Sequence, residues 1–314
     1  MIALYPSIAV QNGYYPEHLG VLFKDIYEDL VVTRLKEKEK PKKERDMVIM
    51  EGYKLFVNGA YGKSNEESSF IYDPLYTMKT TITGQMSLTM LIERLTLHIP
   101  NIEWIQANTD GITARVPRKD AEVYYEICAR WERVTKLVLE HAQYTKMIVR
   151  DVSNYIAIYE NGDTKLKGCF EIFQELHKNP SMRIVPIALK EYYVNGIPVE
   201  ETIKNHTDIY DFCMMLKGNK SWEAELTYFN EDGRLETKPL TKITRYYISK
   251  ELQTIARRNV ESGKVVGVNT NRTISLFNKY VDKPMKEYKI DYSFYISECY
   301  KIINAVSNGQ LSLF

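Results

Sequence analysis

The stretch Ile105–Val116, IQANTDGITARV, alternates apolar and polar residues around Asn-Thr-Asp-Gly and so places the Asp110 carboxylate at the tip of a hairpin. Two chemistries fit that position. Asp-Gly is a strong hairpin signal because both residues tolerate positive φ, so Asp110 can be plain turn chemistry. A carboxylate held on a bend can also be there because something positive binds it. Upstream, YKLFVNGAYGKSN spaces Lys54, Asn58 and Tyr61 at i, i+4 and i+7, putting an amine, an amide and a phenol on one helical face. Arg34 and Lys38 stand i, i+4 apart in the preceding helical segment. Two facing helices with these groups could aim an Arg fork and Lys point charges at the oxygens of one polyphosphate. For Arg34 and Lys38 a solvated helix face is the alternative, whereas Lys54 lies well inside its helix beside Asn58.

The elements that must position these groups follow from periodicity. MIALYPSIAV reads as a short buried strand. A helix is expected from Pro16 to Lys38, with Leu22, Phe23, Ile26, Leu30 and Val31 as its apolar stripe. The charged run Lys36–Arg45, containing Pro41, forms a tip that no helix interior can cross. A second helix is expected over Glu44–Tyr61, with Gly62 closing it, which makes a helical hairpin. TGQMSLTMLIERLTLHI gives a third amphipathic helix, and Asp120–His141 another. NYIAIYENGDTKLKGCFE predicts a second β-hairpin turning at Asn161-Gly162-Asp163. From Glu171 onward the pattern reads as mainly helical, interrupted by NEDG and NVESGK.

The totals exclude several classes. With 314 residues, 44% hydrophobic and 26% charged, the chain has room for two or three domains and is not disordered in composition. A net charge of +1 gives no whole-molecule argument for nucleic acid, so any such surface must come from local segregation of charge. The four cysteines are far apart with no C-x-x-C pair, which indicates neither a zinc knuckle nor a disulfide framework. No apolar run approaches a membrane span and no signal-peptide pattern opens the sequence, so a cytoplasmic location is expected.

Three motifs now carry a resemblance. LYPSI at Leu4–Ile8, K-x-x-x-N-x-x-Y-G at Lys54–Gly62 and NTDG at Asn108–Gly111 resemble, in order and spacing, the three polymerase motifs of family B DNA polymerases, with spellings most similar to bacteriophage members. SNYIAIYENGDTKLKG resembles the palm hairpin that follows the catalytic one, with Tyr155, Lys165, Lys167 and Gly168 at the DNA-contacting places. The resemblance implies an α+β right hand: an antiparallel palm sheet with helices, short helical-hairpin fingers and a mainly helical thumb. Palm would comprise 1–15 and 63–170, fingers 16–62, and thumb 171–314. The implied activity is template-directed DNA synthesis, with primer–template DNA and dNTP as partners and two Mg²⁺ ions. Asp110 would be a catalytic metal ligand and Asn108, where the family has an aspartate, a supporting one. Tyr5 would floor the sugar and exclude a 2′-hydroxyl. Leu4 and Tyr5 would meet the triphosphate through backbone amides, with Arg34, Lys38 and Lys54 clamping it. Asn58 and Tyr61 would line the base-pair pocket. The thumb cations Lys242, Arg245, Lys250, Arg257 and Arg258 are either phosphate contacts or solvated charge.

Two departures qualify the expectation. Gly59 stands where the family usually has serine, and Ala3 stands at another serine position. The first motif's aspartate, the other shared metal ligand, would fall one position before Met1. The expectation is therefore an N-terminally truncated polymerase, nearly inactive alone because one carboxylate holds two ions poorly. A catalytically dead DNA-binding or clamp-binding module with the same fold is the rival. Finally, NGQLSLF resembles the peptide by which bacterial replication proteins dock on the β sliding clamp, with Gln310, Leu311, Leu313 and Phe314 as contacts after an Asn308-Gly309 joint. A segment folded back onto the thumb is the alternative for this tail.

Overall fold

The computed structural model describes residues 4–173, 181–269 and 272–311, in two compact units, Met1–Ala142 and Gln143–Phe314. The boundary falls within 63–170, the stretch assigned to palm from sequence. Each unit is an α+β assembly with its own core.

Unit 1 begins with a helix, α1 (Leu4–Asn12), where a strand was expected. The physical reason is local. An apolar run this short fits either state, and Pro6 sits in the first turn, where its missing N–H leaves no intrahelical bond unmade. A 3₁₀ turn at Glu17–Leu19 leads into α2 (Gly20–Glu39). Beyond Pro41, a π-helical turn (Ile49–Tyr53) runs into α3 (Lys54–Lys63). Gly62 does not end α3 but lies within its last turn. The stop is made by Ser64, whose N–H and hydroxyl both donate to the Tyr61 carbonyl, at 3.2 and 2.7 Å. The third helix, α4 (Pro74–His98), is longer than its amphipathic stretch indicated. Pro74 opens it after an Asp73 cap whose carboxylate accepts from Tyr76 N–H at 2.9 Å. Two strands, β1 (Glu103–Ala107) and β2 (Ile112–Arg115), form the expected antiparallel hairpin. α5 (Ala121–Thr135) follows and ends at Lys136 in the left-handed conformation, short of the expected His141.

α4 is the spine of unit 1. Leu91 and Leu95 pack with Leu4, Ile8, Ile99, Cys128 and Trp131. The Trp131 indole N–H donates to the Ser87 carbonyl at 2.8 Å, so the ring is buried without an orphaned donor. A second cluster fastens α2 and α3 through Tyr27, Val31, Val57 and Ala60, and the Tyr27 hydroxyl donates to the Val57 carbonyl.

Unit 2 opens with the sheet β3 (Tyr144–Asp151), β4 (Asn154–Tyr159), β5 (Thr164–Leu166), antiparallel in that order. The β4–β5 hairpin was expected and turns at Gly162 with φ 84°; β3 was not. Then come α6 (Ile184–Lys190), α7 (Val199–Asn205) and seven strands. These are β6 (Met214–Lys217), β7 (Trp222–Phe229), β8 (Leu235–Pro239), β9 (Ile243–Ile248), β10 (Gln253–Asn259), β11 (Val265–Val268) and β12 (Ile274–Leu276). They form two antiparallel sheets, β11-β10-β7-β8 and β12-β9-β6, and α8 (Tyr292–Leu311) closes the described chain. The mainly helical thumb expected for 171–314 is therefore corrected. NEDG and NVESGK are the turns of the β7–β8 and β10–β11 hairpins, and the segments between them alternate with the period of strands. The core gathers Phe170, Ile184, Leu189, Phe212, Ile248 and Tyr295.

Gly168 has φ 61°, and a Cβ there would stand 2.5 Å from the Ser153 carbonyl oxygen and closer still to Asn154 Oδ1. That Oδ1 accepts from Cys169 N–H at 2.7 Å, so it cannot simply swing away. Gly168→Ala is expected to destabilise unit 2 by more than about 1 kcal/mol, read as a lower denaturant midpoint in equilibrium unfolding.

Candidate functional site

In unit 1, a cavity of about 350 Å³ is lined by Leu4, Tyr5, Pro6, Arg34, Asn58, Thr109 and Asp110. Those seven residues come from α1, α2, α3 and the β1–β2 turn, segments separated by up to a hundred positions. α1 supplies Leu4, Tyr5 and Pro6, from the N-terminal side of the described helix. α1 lies close on α4, where a Cβ on Gly84 would meet Ile8 Cδ1 at 3.2 Å and the Tyr5 ring at 3.5 Å. The Tyr5 ring stacks on Tyr61 with centroids 4.1 Å apart and planes 20° from parallel. Tyr61 is tied in turn to α4 by a hydroxyl contact with Thr81 Oγ1 at 2.7 Å.

The charges at the cavity are few. Arg34 is half-buried, and its Nε donates to the Met50 carbonyl at 3.4 Å. Burial lowers its pKa, opposed by the nearby Glu51 carboxylate. Asp110 is exposed on the turn, which the Asn108 N–H closes by donating to the Gly111 carbonyl at 2.9 Å. No residue of Asn108–Gly111 has positive φ, so this turn does not use the conformational freedom that Asp-Gly offers. Tyr5 is pushed up to about 12, first by burial, then by its hydrogen bond and charge interaction with Tyr61, then by the negative charge of Asp110.

The other residues singled out from sequence fall elsewhere. Lys54 is exposed and pairs with Glu51 Oε2 at 3.1 Å, and Lys38 lies 3.6 Å from Glu140 Oε2; neither lines the cavity. Asn108 Oδ1 accepts from the Asp110 N–H at 3.4 Å. Lys165 and Tyr155 meet in unit 2, with the ammonium 5.9 Å from the ring centroid. Lys167 is exposed and 3.5 Å from Glu171. Among the thumb cations, Arg258 forms a fork on Glu225 at 2.7 and 3.2 Å, and Arg245 lies 6.0 Å over Tyr210. Asn308-Gly309, expected as a joint, is inside α8, as are Gln310 and Leu311; Leu313, Phe314 and Ala3 lie outside the described residues. Sequence reasoning did not find Thr109 and Pro6 as lining residues, or Thr81 as the anchor of Tyr61. Thr81 carries no motif signal, only an i, i+4 place on the α4 face that also holds Thr77.

A pair of Mg²⁺ ions needs several shared oxygen ligands, including more than one carboxylate. Asp110 is the one carboxylate lining the cavity, and no group of three or more His, Cys, Asp or Glu side chains is poised for a metal among the described residues. These residues do not fit a two-ion centre. What they can do is bind an anion with Arg34 and the start of α1, and present an aromatic floor beside it. No described helix is long and apolar enough to cross a membrane.

The raised Tyr5 pKa has a measurable consequence. The Tyr5 phenol stays protonated in the fold while an unfolded chain ionises it near 10, so its contribution to stability is complete below pH 10 and is lost as pH rises through about 12. Tyr5→Phe is expected to remove one late step from a phenolate absorbance titration.

No protein-family model matches the chain, and no curated protein matches it. Among solved structures, it is similar to the family B DNA polymerase from the hyperthermophilic archaeon Pyrobaculum calidifontis, at 16% identity and a TM-score of 0.46. That match covers 90% of this chain and 37% of the polymerase chain, so the chain spans little more than a third of that protein's length.

Proposed function

We propose that this chain is the nucleotide-handling part of a family B-type DNA polymerase, built for template-directed addition of deoxynucleotides to a primer 3′-hydroxyl. The observation that carries the reading is convergence. LYPSI, the Lys54–Gly62 motif and NTDG, remote in sequence, each contribute to one cavity of unit 1.

The roles follow from the geometry. The N-terminal side of the described helix α1 borders the cavity, and the helix dipole there favours a triphosphate, which suits an anion better than the expected strand would. Arg34 adds a guanidinium fork to the same anion, and its partial burial keeps the charge poorly screened. The Tyr5 ring, backed by Tyr61, is a rigid wall on which a sugar would rest, and a 2′-hydroxyl would need space the ring fills. Asn58 is at hand for the base or sugar edge. Lys54 and Lys38 reach a triphosphate only by leaving Glu51 and Glu140, exchanges of weak exposed ion pairs for a stronger charge-assisted contact. In unit 2, Tyr155 on β4, Lys165 on β5 and Lys167 just after it would serve as contacts for primer–template DNA.

The donor set favours a second reading: binding of nucleotide and DNA without turnover, because Asp110 lacks a companion carboxylate at the cavity. In-line attack on the α-phosphorus needs charge neutralised on both entering and leaving oxygens, and Asp110 alone cannot organise that.

Both readings predict that the chain binds dNTP and that Arg34→Gln weakens binding about tenfold or more, as loss of a charge-assisted contact does. Tyr5→Ala is expected to narrow the preference for dNTP over the matching ribonucleotide. Equilibrium titration checks both, and absence of any dNTP binding would overturn the assignment. Primer extension separates the two readings. Supplying an Asp-bearing first-motif segment ahead of Met1 should give Mg²⁺-dependent synthesis that Asp110→Asn abolishes. Persistent nucleotide binding without synthesis in that extended chain would establish the binding module.

A further inference from the structure

Unit 2 holds a second cavity, of about 290 Å³, that none of the motifs touches. It lies where β7, β8, β9, β10 and β12 meet the segment before α8. Its walls are aromatic: Tyr228, Tyr247 and Tyr288 all line it. Its charges are arranged unusually. Lys238 lies over the Tyr228 ring at 4.8 Å and Lys283 over the Tyr288 ring at 4.6 Å. Among the described residues, neither ammonium has a carboxylate within ion-pair distance. Two carboxylates share the lining, Glu251 and Glu287, but Glu251 is neutralised by Lys289 at 2.8 Å.

An ammonium over an aromatic face is held weakly, much less than by a phosphate oxygen to which it can donate hydrogen bonds. The two lysines are thus parked, and an anion entering the cavity would draw them off their rings. Moving Lys238 uncovers a face of the half-buried Tyr228, on which a planar base can stack, whereas Tyr288 stays packed against Tyr247 and Phe277. The aromatic wall continues outward. Tyr288 packs edge-on against Phe277 at 5.9 Å, Phe277 against Tyr280 at 6.3 Å, and Tyr280 lies parallel to Tyr210 at 6.0 Å, with Arg245 over Tyr210. Tyr210 and Tyr280 are both exposed. Phe277 and Tyr288 are buried, so the rings open to a strand are Tyr228 at the cavity and Tyr280 and Tyr210 beyond it, with Lys238 and Arg245 beside them, a spaced set suited to sequence-tolerant stacking plus backbone neutralisation.

We propose that this cavity is a nucleotide site independent of the one in unit 1, taking one nucleotide unit with its phosphate between Lys238 and Lys283 and its base on the tyrosine wall. The unit belongs either to a single strand running on toward Tyr280 and Tyr210 or to a free mononucleotide. The proposal does not rest on the polymerase reading of the Asp110 cavity.

The test uses the full chain and three probes: labelled single-stranded oligo(dT), dTMP and inorganic phosphate. The double variant Lys238→Gln/Lys283→Gln is expected to weaken oligo(dT) and dTMP binding about tenfold or more and to flatten the salt dependence. Lys238→Arg/Lys283→Arg should retain it, a control against misfolding, as should an unchanged thermal transition. Arg34→Gln should leave oligo(dT) binding intact while lowering dNTP binding in unit 1, so the two sites fail separately. Oligo(dT) binding much tighter than dTMP identifies a strand as the ligand; equal affinity identifies the free nucleotide. Wild-type binding in the Gln double variant would overturn the proposal, as would inorganic phosphate competing as well as dTMP.

Discussion

The approach of α1 to α4 at Gly84 is the constraint on which the rest of unit 1 depends. With no side chain at that position, Ile8 and the Tyr5 ring lie directly against the α4 backbone. The N-terminal turn of α1 is thereby set at the depth where Arg34, Asn58 and Asp110 can share its cavity. A methyl group at 3.2 Å from Ile8 Cδ1 would require that side chain to give by tenths of an ångström, with the Tyr5 ring next in contact at 3.5 Å. Close packing converts one missing Cβ into the position of a binding surface.

Charge at the two cavities is economical, and tyrosine takes up what ion pairs leave undone. In unit 1, one guanidinium and one carboxylate line the cavity with the Tyr5 phenol. In unit 2, ammonium groups rest on rings rather than on acids. Cations kept on aromatic faces remain charged and available, whereas the same cations in tight carboxylate pairs would have to break those pairs before meeting a ligand. Arg258, locked on Glu225 by two bonds, illustrates the other case: it is a structural cation whose charge is already spent.

How much of this was legible in sequence depended on whether the signal was local. The β1–β2 and β4–β5 hairpins were readable because alternation and turn residues lie within a dozen positions. The helical hairpin around Pro41 was readable for the same reason. α1 was misread because a short apolar run has no period of its own, and its burial on α4 through Gly84 decides its state. The strands after Met214 were misread because turn sequences were taken as breaks between helices, and β-pairing is a long-range fact that propensity reports poorly. Arg34 and Asn58 follow from helical spacing, Asp110 from the hairpin pattern and Tyr5 from the family resemblance, and the fold brings them to one cavity. Lys54 and Lys38 shared the same spacing logic, yet Glu51 and Glu140 hold them in other contacts. Spacing fixes which face of a helix a residue is on, not which neighbour reaches it first.

Tyr295 sits fully buried on α8, and its one hydroxyl serves two backbones, accepting from the Ile248 N–H at 2.9 Å and donating to the Phe212 carbonyl at 2.8 Å. Peeling α8 from unit 2 would therefore orphan an amide on β9 and a carbonyl ahead of β6 in the same motion, besides opening a hole the size of a phenol ring. Detachment of the helix by itself has no cheap partial stage. The final helix and the sheets before it are bolted into a single cooperative block.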